Sequence, residues 1–190
     1  PIASRLYSNG KMGELDKIYK TVTRWTITAA IIPTLGLIIY SSELLTIFGD
    51  EFTAGTTVLI LFSIAQLANS SVGPSGFMLV VTNHQYLSMI NMWILGVLNA
   101  GLNFIFIQKF GVVGAALATA SILAGINVLR VIEVWYFEDF FPYSVNLWKP
   151  ILSGLVAATG MYAIKMSIAG FKGMIVGGIL GIVCFGMVLF

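Results

Sequence analysis

The stretch Leu98–Ala120, LNAGLNFIFIQKFGVVGAALATA, decides the fold, because it contains the end of one long apolar segment and the beginning of the next. Only a short connector around Lys109 and Gly111 separates the two segments. Helices joined by so short a connector are antiparallel neighbours. The stretch therefore predicts a helical hairpin.

The composition of the whole chain places this hairpin in a membrane. Of the 190 residues, 58% are hydrophobic and 9% are charged, and the mean hydropathy is +0.94. Soluble domains carry about 25% charged residues, because they need a hydrated surface. A bilayer core of about 30 Å requires about 20 apolar residues per helix. We predict an all-α integral membrane protein with about six antiparallel spans, at residues 21–48, 56–82, 85–108, 112–137, 150–169 and 173–190.

The residue counts also exclude several functions. With a net charge of +2 and no basic cluster, we expect no nucleic-acid partner. One cysteine, Cys184, excludes an internal disulfide, and one histidine, His84, builds no metal site without acids or thiols beside it. No Ser/His/acid set or phosphate loop is found, so we expect neither an enzyme nor a cofactor. Both chain ends suggest a fragment of a longer protein.

The basic residues predict the orientation. Five of the ten lie before the first predicted span or in its first turn, whereas the next connector holds Asp50 and Glu51 and no basic residue. The positive-inside rule therefore places the N-terminal segment in the cytoplasm. Apolar residues also share one side of residues 11–25, which indicates an amphipathic helix lying in the cytoplasmic interface or packing on a domain outside this sequence.

Polar residues inside the spans predict a site. Pro33 predicts a kink in the first span, and Gly73 and Pro74 predict a break in the second. Gln66 and Asn69 share a face beside this break. Such a face fits a water-filled cavity, or alternatively hydrogen bonds between helices.

The third and fourth spans carry the opening stretch. Asn99 and Asn103 share one face, and Thr119 and Arg130 align on the fourth span. Arg130 is expected to reach the cytoplasmic interface or to contact a phosphate-bearing lipid headgroup. A stripe of small residues permits close packing of the fourth span: Gly114, Ala118, Ser121 and Gly125.

Three stretches together resemble a known family. They are RLYSNGKMGELDKIYKTVTRW, SSELLTIFGDEFTAGTTVLILFSIAQL and the opening stretch. They are similar to polysaccharide biosynthesis proteins that flip lipid-linked oligosaccharides, within the multidrug/oligosaccharidyl-lipid/polysaccharide (MOP) exporter superfamily. The resemblance covers about residues 1–137 and is weak beyond them.

This resemblance implies part of the C-terminal lobe of a MATE-like, two-lobed transporter in a prokaryotic plasma membrane, with the N-terminal lobe outside this sequence. Residues 1–137 would hold four helices and the interfacial helix, 138–149 a cytoplasmic linker, and 150–190 two additional helices. The implied partners are membrane lipids and a polyprenyl-diphosphate-linked saccharide. In such a transporter, the substrate cavity is expected to be lined by Gln66, Asn69, Asn99, Asn103, Thr119 and Arg130. The expected hinge residues are Pro33, Gly73 and Pro74.

The resemblance also implies a candidate sodium site at Asn99, Asn103 and Thr119, with Na⁺ or a proton gradient as the coupling ion. Asn103 stands where a carboxylate is often found in the family. Three alternatives remain open: a cation-coupled multidrug exporter, the membrane part of a glycosyltransferase or lipid-modifying enzyme using Glu133, Glu138 or Asp139, and a structural anchor.

Overall fold

The structure, a computed structural model, describes residues 2–168 and 170–189 of the chain. The described residues form helices without a β-strand, which confirms the predicted all-α class. The α-helices are α1 (Ile2–Ser8), α2 (Met12–Ile39), α3 (Ser41–Thr46), α4 (Thr56–Ser71), α5 (Ser75–Val81), α6 (Gln85–Glu138), α7 (Trp148–Ser167) and α8 (Gly170–Leu189), and short 3-10 helices cover Asp50–Gly55 and Val145–Leu147.

Among the described residues, five helical segments are long and apolar enough to cross a membrane: Met12–Ile39, Asp50–Val81, Gln85–Glu138, Val145–Ser167 and Gly170–Leu189. The third of these segments has 54 residues. As one straight helix it would be about 81 Å long, far more than a bilayer core of about 30 Å. Its internal contacts show how this length is accommodated.

Helix α6 reverses direction at Gly111. This glycine has φ 57° and ψ −136°, a conformation that is accessible because glycine has no Cβ. Asn91 and Glu133 would lie about 63 Å apart in one straight helix, yet their side chains are hydrogen-bonded over 2.6 Å. We call residues 85–110 the first arm and residues 112–138 the second arm of this hairpin.

The two arms are in close contact beside the turn. A Cβ on Gly114 would overlap the carbonyl oxygen of Phe106, so only glycine permits this approach. The hairpin predicted from Leu98–Ala120 is therefore present. The predicted count of six spans treats each arm as a separate span, and it stays a prediction.

The chain forms two compact units, each built from two chain segments. Unit 1 contains Pro1–Thr26 and Ala68–Ser144, and unit 2 contains Ile27–Leu67 and Val145–Phe190. Helices α2 and α4 each contribute residues to both units.

The core of unit 1 joins the beginning of α2 to α5 and the second arm. Leu15 and Tyr19 are fully buried, and they pack with Met78, Leu79, Val81, Val134 and Phe140. The segment predicted as an interfacial helix is therefore the first part of α2. Its inward side chains pack on protein, because α5 and the second arm cover them, while Trp25 remains 66% exposed.

Helices α4 and α5 are separated at residues 72–74, where the sequence predicts a break. Gly73 has φ 58°, and a Cβ there would overlap the hydroxyl of Thr23 on α2. Helix α2 continues through Pro33 to Ile39, and the kink predicted at this proline stays a prediction. A proline inside a membrane helix is tolerated where neighbouring groups satisfy the freed carbonyl.

Hydrogen bonds from α2 satisfy backbone carbonyls at the break. Thr26 Oγ1 donates to the carbonyl oxygen of Ser70 over 3.1 Å, and Tyr19 Oη donates to that of Val72 over 3.4 Å. These bonds compensate for the backbone donors that an interrupted helix lacks. At these two carbonyls, the side chains of α2 serve as hydrogen-bonding groups between helices.

Unit 2 is held at one end by a polar cluster. Tyr40 Oη donates to the carbonyl oxygen of Met161 over 2.7 Å. Lys165 Nζ donates to the carbonyl oxygen of Ile39, at the end of α2, and forms an ion pair with Glu43 over 3.0 Å. A lysine at a helix C-terminus satisfies a carbonyl that has no partner within the helix. Lys165 and Glu43 thus bind each other at this end of unit 2.

Glycines on α8 permit close packing within unit 2. Gly173, Gly177 and Gly181 are buried and lie one turn apart. A Cβ on Gly177 would overlap Tyr40 Oη, and a Cβ on Gly181 would overlap the side chain of Met161. Two successive GxxxG steps thus let other side chains approach the backbone of α8 closely.

We predict that Gly177→Ala destabilises the protein by about 1–3 kcal/mol, because the added methyl group forces Tyr40 to move. Gly178→Ala is the matched control, since a Cβ there meets nothing within 4 Å. Thermal unfolding in detergent measures both changes. Tyr40→Phe, which removes the overlapping oxygen, should reduce the additional cost of Gly177→Ala. Equal stability of the two alanine variants would contradict the assignment.

Candidate functional site

The two asparagines of the opening stretch lie on the first arm and bond to each other. Asn103 Nδ2 donates to the backbone oxygen and to the side-chain Oδ1 of Asn99, each over 2.8 Å. Both residues are half-buried. Each amide group in lipid needs a partner, and this pair supplies part of that need within one helix.

The other predicted cavity residues have different surroundings. Thr119 is half-buried on the second arm, and Gln66 is exposed on α4 within unit 2. Asn69, also on α4 but within unit 1, accepts a hydrogen bond from Asn127 Nδ2 over 3.0 Å. Asn127 is only 3% exposed, so this bond joins α4 to the second arm in a buried position.

Arg130 lies one turn beyond Asn127 on the second arm. Its guanidinium packs against Gly76 of α5, where a Cβ would be 3.5 Å from Cζ. Its Nη2 lies 3.9 Å from the sulfur of Met92 on the first arm, and its Nε is buried without a hydrogen-bond partner. Among the described residues Arg130 forms no ion pair. A guanidinium held in this way retains donors for an anion.

A carboxylate–amide pair follows Arg130 along the hairpin. Asn91 Nδ2 donates to Glu133 Oε2 over 2.6 Å, and Asn91 is only 1% exposed. Glu133 lies three residues after Arg130, a spacing at which a helix brings opposite charges together. The structure instead pairs Glu133 with the neutral amide, which leaves the guanidinium free of a carboxylate.

The single histidine of the sequence, His84, contacts the end of the second arm from its position just before the first arm. His84 precedes the first arm, and its Nδ1 lies 3.4 Å from Oε1 of Glu138 at the end of the second arm. The same nitrogen lies 3.2 Å from Thr82 Oγ1, and the imidazole stacks on Phe137 with ring centroids 4.5 Å apart. His84 is therefore a structural contact at the end of the hairpin opposite the turn.

These contacts give the hairpin a polar end. From the turn outward, the arms meet at Gly114, then at Arg130 and Met92, then at Glu133 and Asn91. Arg130 is the cation of this row. The carboxylate of the row, Glu133, is hydrogen-bonded to Asn91 instead of Arg130. The arrangement can hold an anion at Arg130.

Sequence reasoning missed Asn91 and Asn127 and assigned Glu133 only to an enzyme alternative. On the second arm, the sequence does carry a signal of a shared polar face. Successive residues of the set Asn127, Arg130 and Glu133 are three positions apart, a spacing that puts them on one side of a helix. Asn91 gives no comparable signal, since its partner is fixed by the register of the hairpin rather than by spacing along one helix.

We predict that Asn91→Ala and Glu133→Ala each destabilise the protein by about 1–3 kcal/mol, because each leaves a polar group without its partner. A double-mutant cycle on thermal unfolding should give a coupling energy of about 0.5–2 kcal/mol. Glu133→Gln keeps an acceptor oxygen and should cost less than Glu133→Ala. Glu51→Ala, at an exposed carboxylate, is the control. Strictly additive effects would show that the pair contributes nothing.

The chain is similar to a protein named "Probable low-salt glycan biosynthesis flippase Agl15" from Haloferax volcanii. The two sequences are 30% identical over 170 residues, which cover 87% of this chain and 35% of that protein. The chain thus spans about a third of the length of this curated relative. No family model and no solved structure matches the chain. Five apolar helical segments together with this similarity identify a multi-pass membrane protein.

Proposed function

We propose that this chain is part of a flippase that moves a lipid-linked oligosaccharide or polysaccharide precursor across a prokaryotic plasma membrane by alternating access. The observation that carries the proposal is the similarity, over 87% of the chain, to a relative named as a glycan biosynthesis flippase. The relative is named as a transporter rather than an enzyme, which favours transport over the membrane-enzyme alternative.

We assign the chain to the C-terminal lobe of a MATE-like transporter of the MOP superfamily. Each arm of α6 has at least 26 residues and is long enough to span a bilayer alone, which is compatible with six spans and a cytoplasmic N-terminal segment. The remaining two thirds of the relative's length would correspond to an N-terminal lobe and the first two helices of the C-terminal lobe. The two lobes would rock against each other around a hydrated cavity.

Arg130 would recognise the diphosphate of a polyprenyl carrier in this mechanism. A guanidinium pairs with phosphate oxygens through two parallel hydrogen bonds, and such charge-assisted bonds are about twice as strong as neutral ones. Burial between Gly76 and Met92 fixes the guanidinium before the anion arrives, which lowers the entropy cost of binding. The saccharide would meet amide groups, and the hydrocarbon tail would remain in the bilayer.

Coupling to Na⁺ or to a proton gradient belongs to the same proposal. Asn99, Asn103 and Thr119 would supply oxygen ligands to a sodium ion, since hard cations prefer oxygen. Asn103 uses its nitrogen to bond Asn99, which leaves its own side-chain oxygen available for this role. Gln66 and Asn69 would line the cavity, with Pro33, Gly73 and Pro74 as hinge residues.

We predict that Arg130→Gln reduces flipping at least tenfold, because the neutral amide cannot neutralise a phosphate. Arg130→Lys keeps the charge but loses the planar fork, so it should retain intermediate activity. Flipping of a fluorescent polyprenyl-diphosphate saccharide is measured in proteoliposomes with the protein made from its full reading frame. Lys172→Gln is the control, and thermal unfolding checks that the variants fold. Unchanged flipping by folded Arg130→Gln would remove Arg130 from the mechanism.

We also predict that Asn99→Ala combined with Asn103→Ala lowers flipping severalfold in the same assay, and that Thr119→Val lowers its dependence on sodium. The alanine pair removes both amides and therefore both candidate ligands. If this variant folds and flips as the wild type does, the assignment of these asparagines to the cavity is wrong.

A further inference from the structure

The first part of α2 carries basic residues on the side opposite the core of unit 1. Leu15 and Tyr19 are fully buried on the core side. At about 100° per residue, Lys17 lies about 200° from Leu15 around the helix. Lys20 and Arg24 follow Lys17 at steps of three and four residues, so these three basic residues share one side of α2. We call them the basic face.

The basic face is open around Lys17. This lysine is exposed, as are Gly13 one turn before it and Thr21 one turn after it. A Cβ on Gly13 would meet nothing within 4 Å. Trp25, which directly follows Arg24, is 66% exposed. The surroundings of the protein therefore have access to this side of α2.

The length of α2 places the basic face at the boundary of the hydrocarbon core. Polar contacts lie at the other end of the helix, at Ile39. A bilayer core of about 30 Å corresponds to about 20 helical residues, and counting them back from Ile39 leads to Lys20. Lys17 then lies outside the hydrocarbon. Arg24 lies about 6 Å inside it, a depth from which a long basic side chain reaches the boundary.

The acidic residues of this segment do not neutralise its positive charge. The first 26 residues include five basic and two acidic ones, which gives a net side-chain charge of +3. Asp16 pairs with Lys20 over 2.6 Å. Glu14 pairs with Lys11 over 2.9 Å. Both carboxylates thus have a lysine partner, whereas Lys17 forms no ion pair with any residue that the structure describes.

We infer that the basic face of α2 binds the headgroups of anionic phospholipids. The phosphate of such a lipid accepts charge-assisted hydrogen bonds from Lys17 and Arg24, while its acyl chains follow α2 into the bilayer. A zwitterionic lipid presents its phosphate beside an ammonium group, so the basic face attracts it less. Each basic residue near a membrane surface favours anionic lipid about fivefold. This inference requires that α2 spans the membrane, and it is independent of flipping.

The distribution of side chains favours lipid over another protein as the partner of this face. A helix packs on protein through its apolar side, and in α2 that side is already covered within unit 1 at Leu15 and Tyr19. The opposite side offers long basic side chains with the small residues Gly13 and Thr21 between them. Such a surface suits headgroups, which are charged and hydrated.

Photo-crosslinking identifies the molecules beside the basic face. A benzophenone amino acid replaces Trp25 in the protein made from its full reading frame. The protein is placed in nanodiscs of equal parts phosphatidylglycerol and phosphatidylcholine, and mass spectrometry measures the ratio of the two lipid adducts. The same label at Ile179 on α8, which is 60% exposed and has no charged residue within six positions, gives the reference ratio. We expect the ratio of anionic to zwitterionic adducts at position 25 to be at least fivefold above this reference.

Charge variants test whether Lys17 causes the enrichment. Lys17→Gln should lower the ratio at position 25 severalfold, whereas Lys17→Arg should retain it because the charge is kept. Lys172→Gln removes the same charge from the exposed start of α8, so this matched control should leave the ratio unchanged. Sodium chloride at about 0.5 M should lower the ratio in the wild type, since salt screens exposed charges. Thermal unfolding verifies that each protein folds, and exposed Thr21 provides a second position for the label.

The outcomes decide between lipid and protein at this face. Equal ratios at positions 25 and 179, or an unchanged ratio in folded Lys17→Gln, would overturn the lipid site. Adducts of the label with protein instead of lipid would show a protein interface, and they would overturn it as well. The flippase proposal depends on the flipping assay alone, because none of these results requires transport.

Discussion

The reversal of the chain at Gly111 is the constraint on which the polar contacts between the two arms depend. It sets which residues of the two arms face each other. A helix turns by about 100° per residue, so a shift of one residue between the arms would move Glu133 away from Asn91 and Arg130 away from Met92. The close contact between Gly114 and the backbone of Phe106 fixes this register near the turn, where the arms have the least freedom to slide.

Membrane burial explains why the interrupted helices keep their carbonyls paired. Hydrocarbon offers no donors, so each free backbone oxygen must find one within the protein. Threonine and tyrosine side chains of α2 do this at the break near Gly73. Lys165 does it at the end of α2 in unit 2. In both places, a side chain from another part of the chain replaces the next turn of helix.

The sequence predicted those features that depend on local chemistry. The connector near Gly111 and the break at Gly73 each follow from residues within a few positions of one another. The partners of Asn69 and Glu133 could not be predicted, because they lie 58 and 42 residues away and are chosen by helix rotation and register. The same limit applies to the small-residue stripe. A helical wheel gives the common face of Gly114 and Gly125 but not the separation between the arms at each of them.

The placement of Arg130 and Glu133 on one helix has an electrical consequence. A single charge that crosses the membrane field contributes about 2.3 kcal/mol per 100 mV. These two opposite charges lie three residues apart on the second arm and would move together, so the membrane potential exerts almost no net force on the pair. An anion bound at Arg130 would change this balance, because it would add negative charge to the pair. A bound anion would therefore couple this part of the second arm to the membrane voltage.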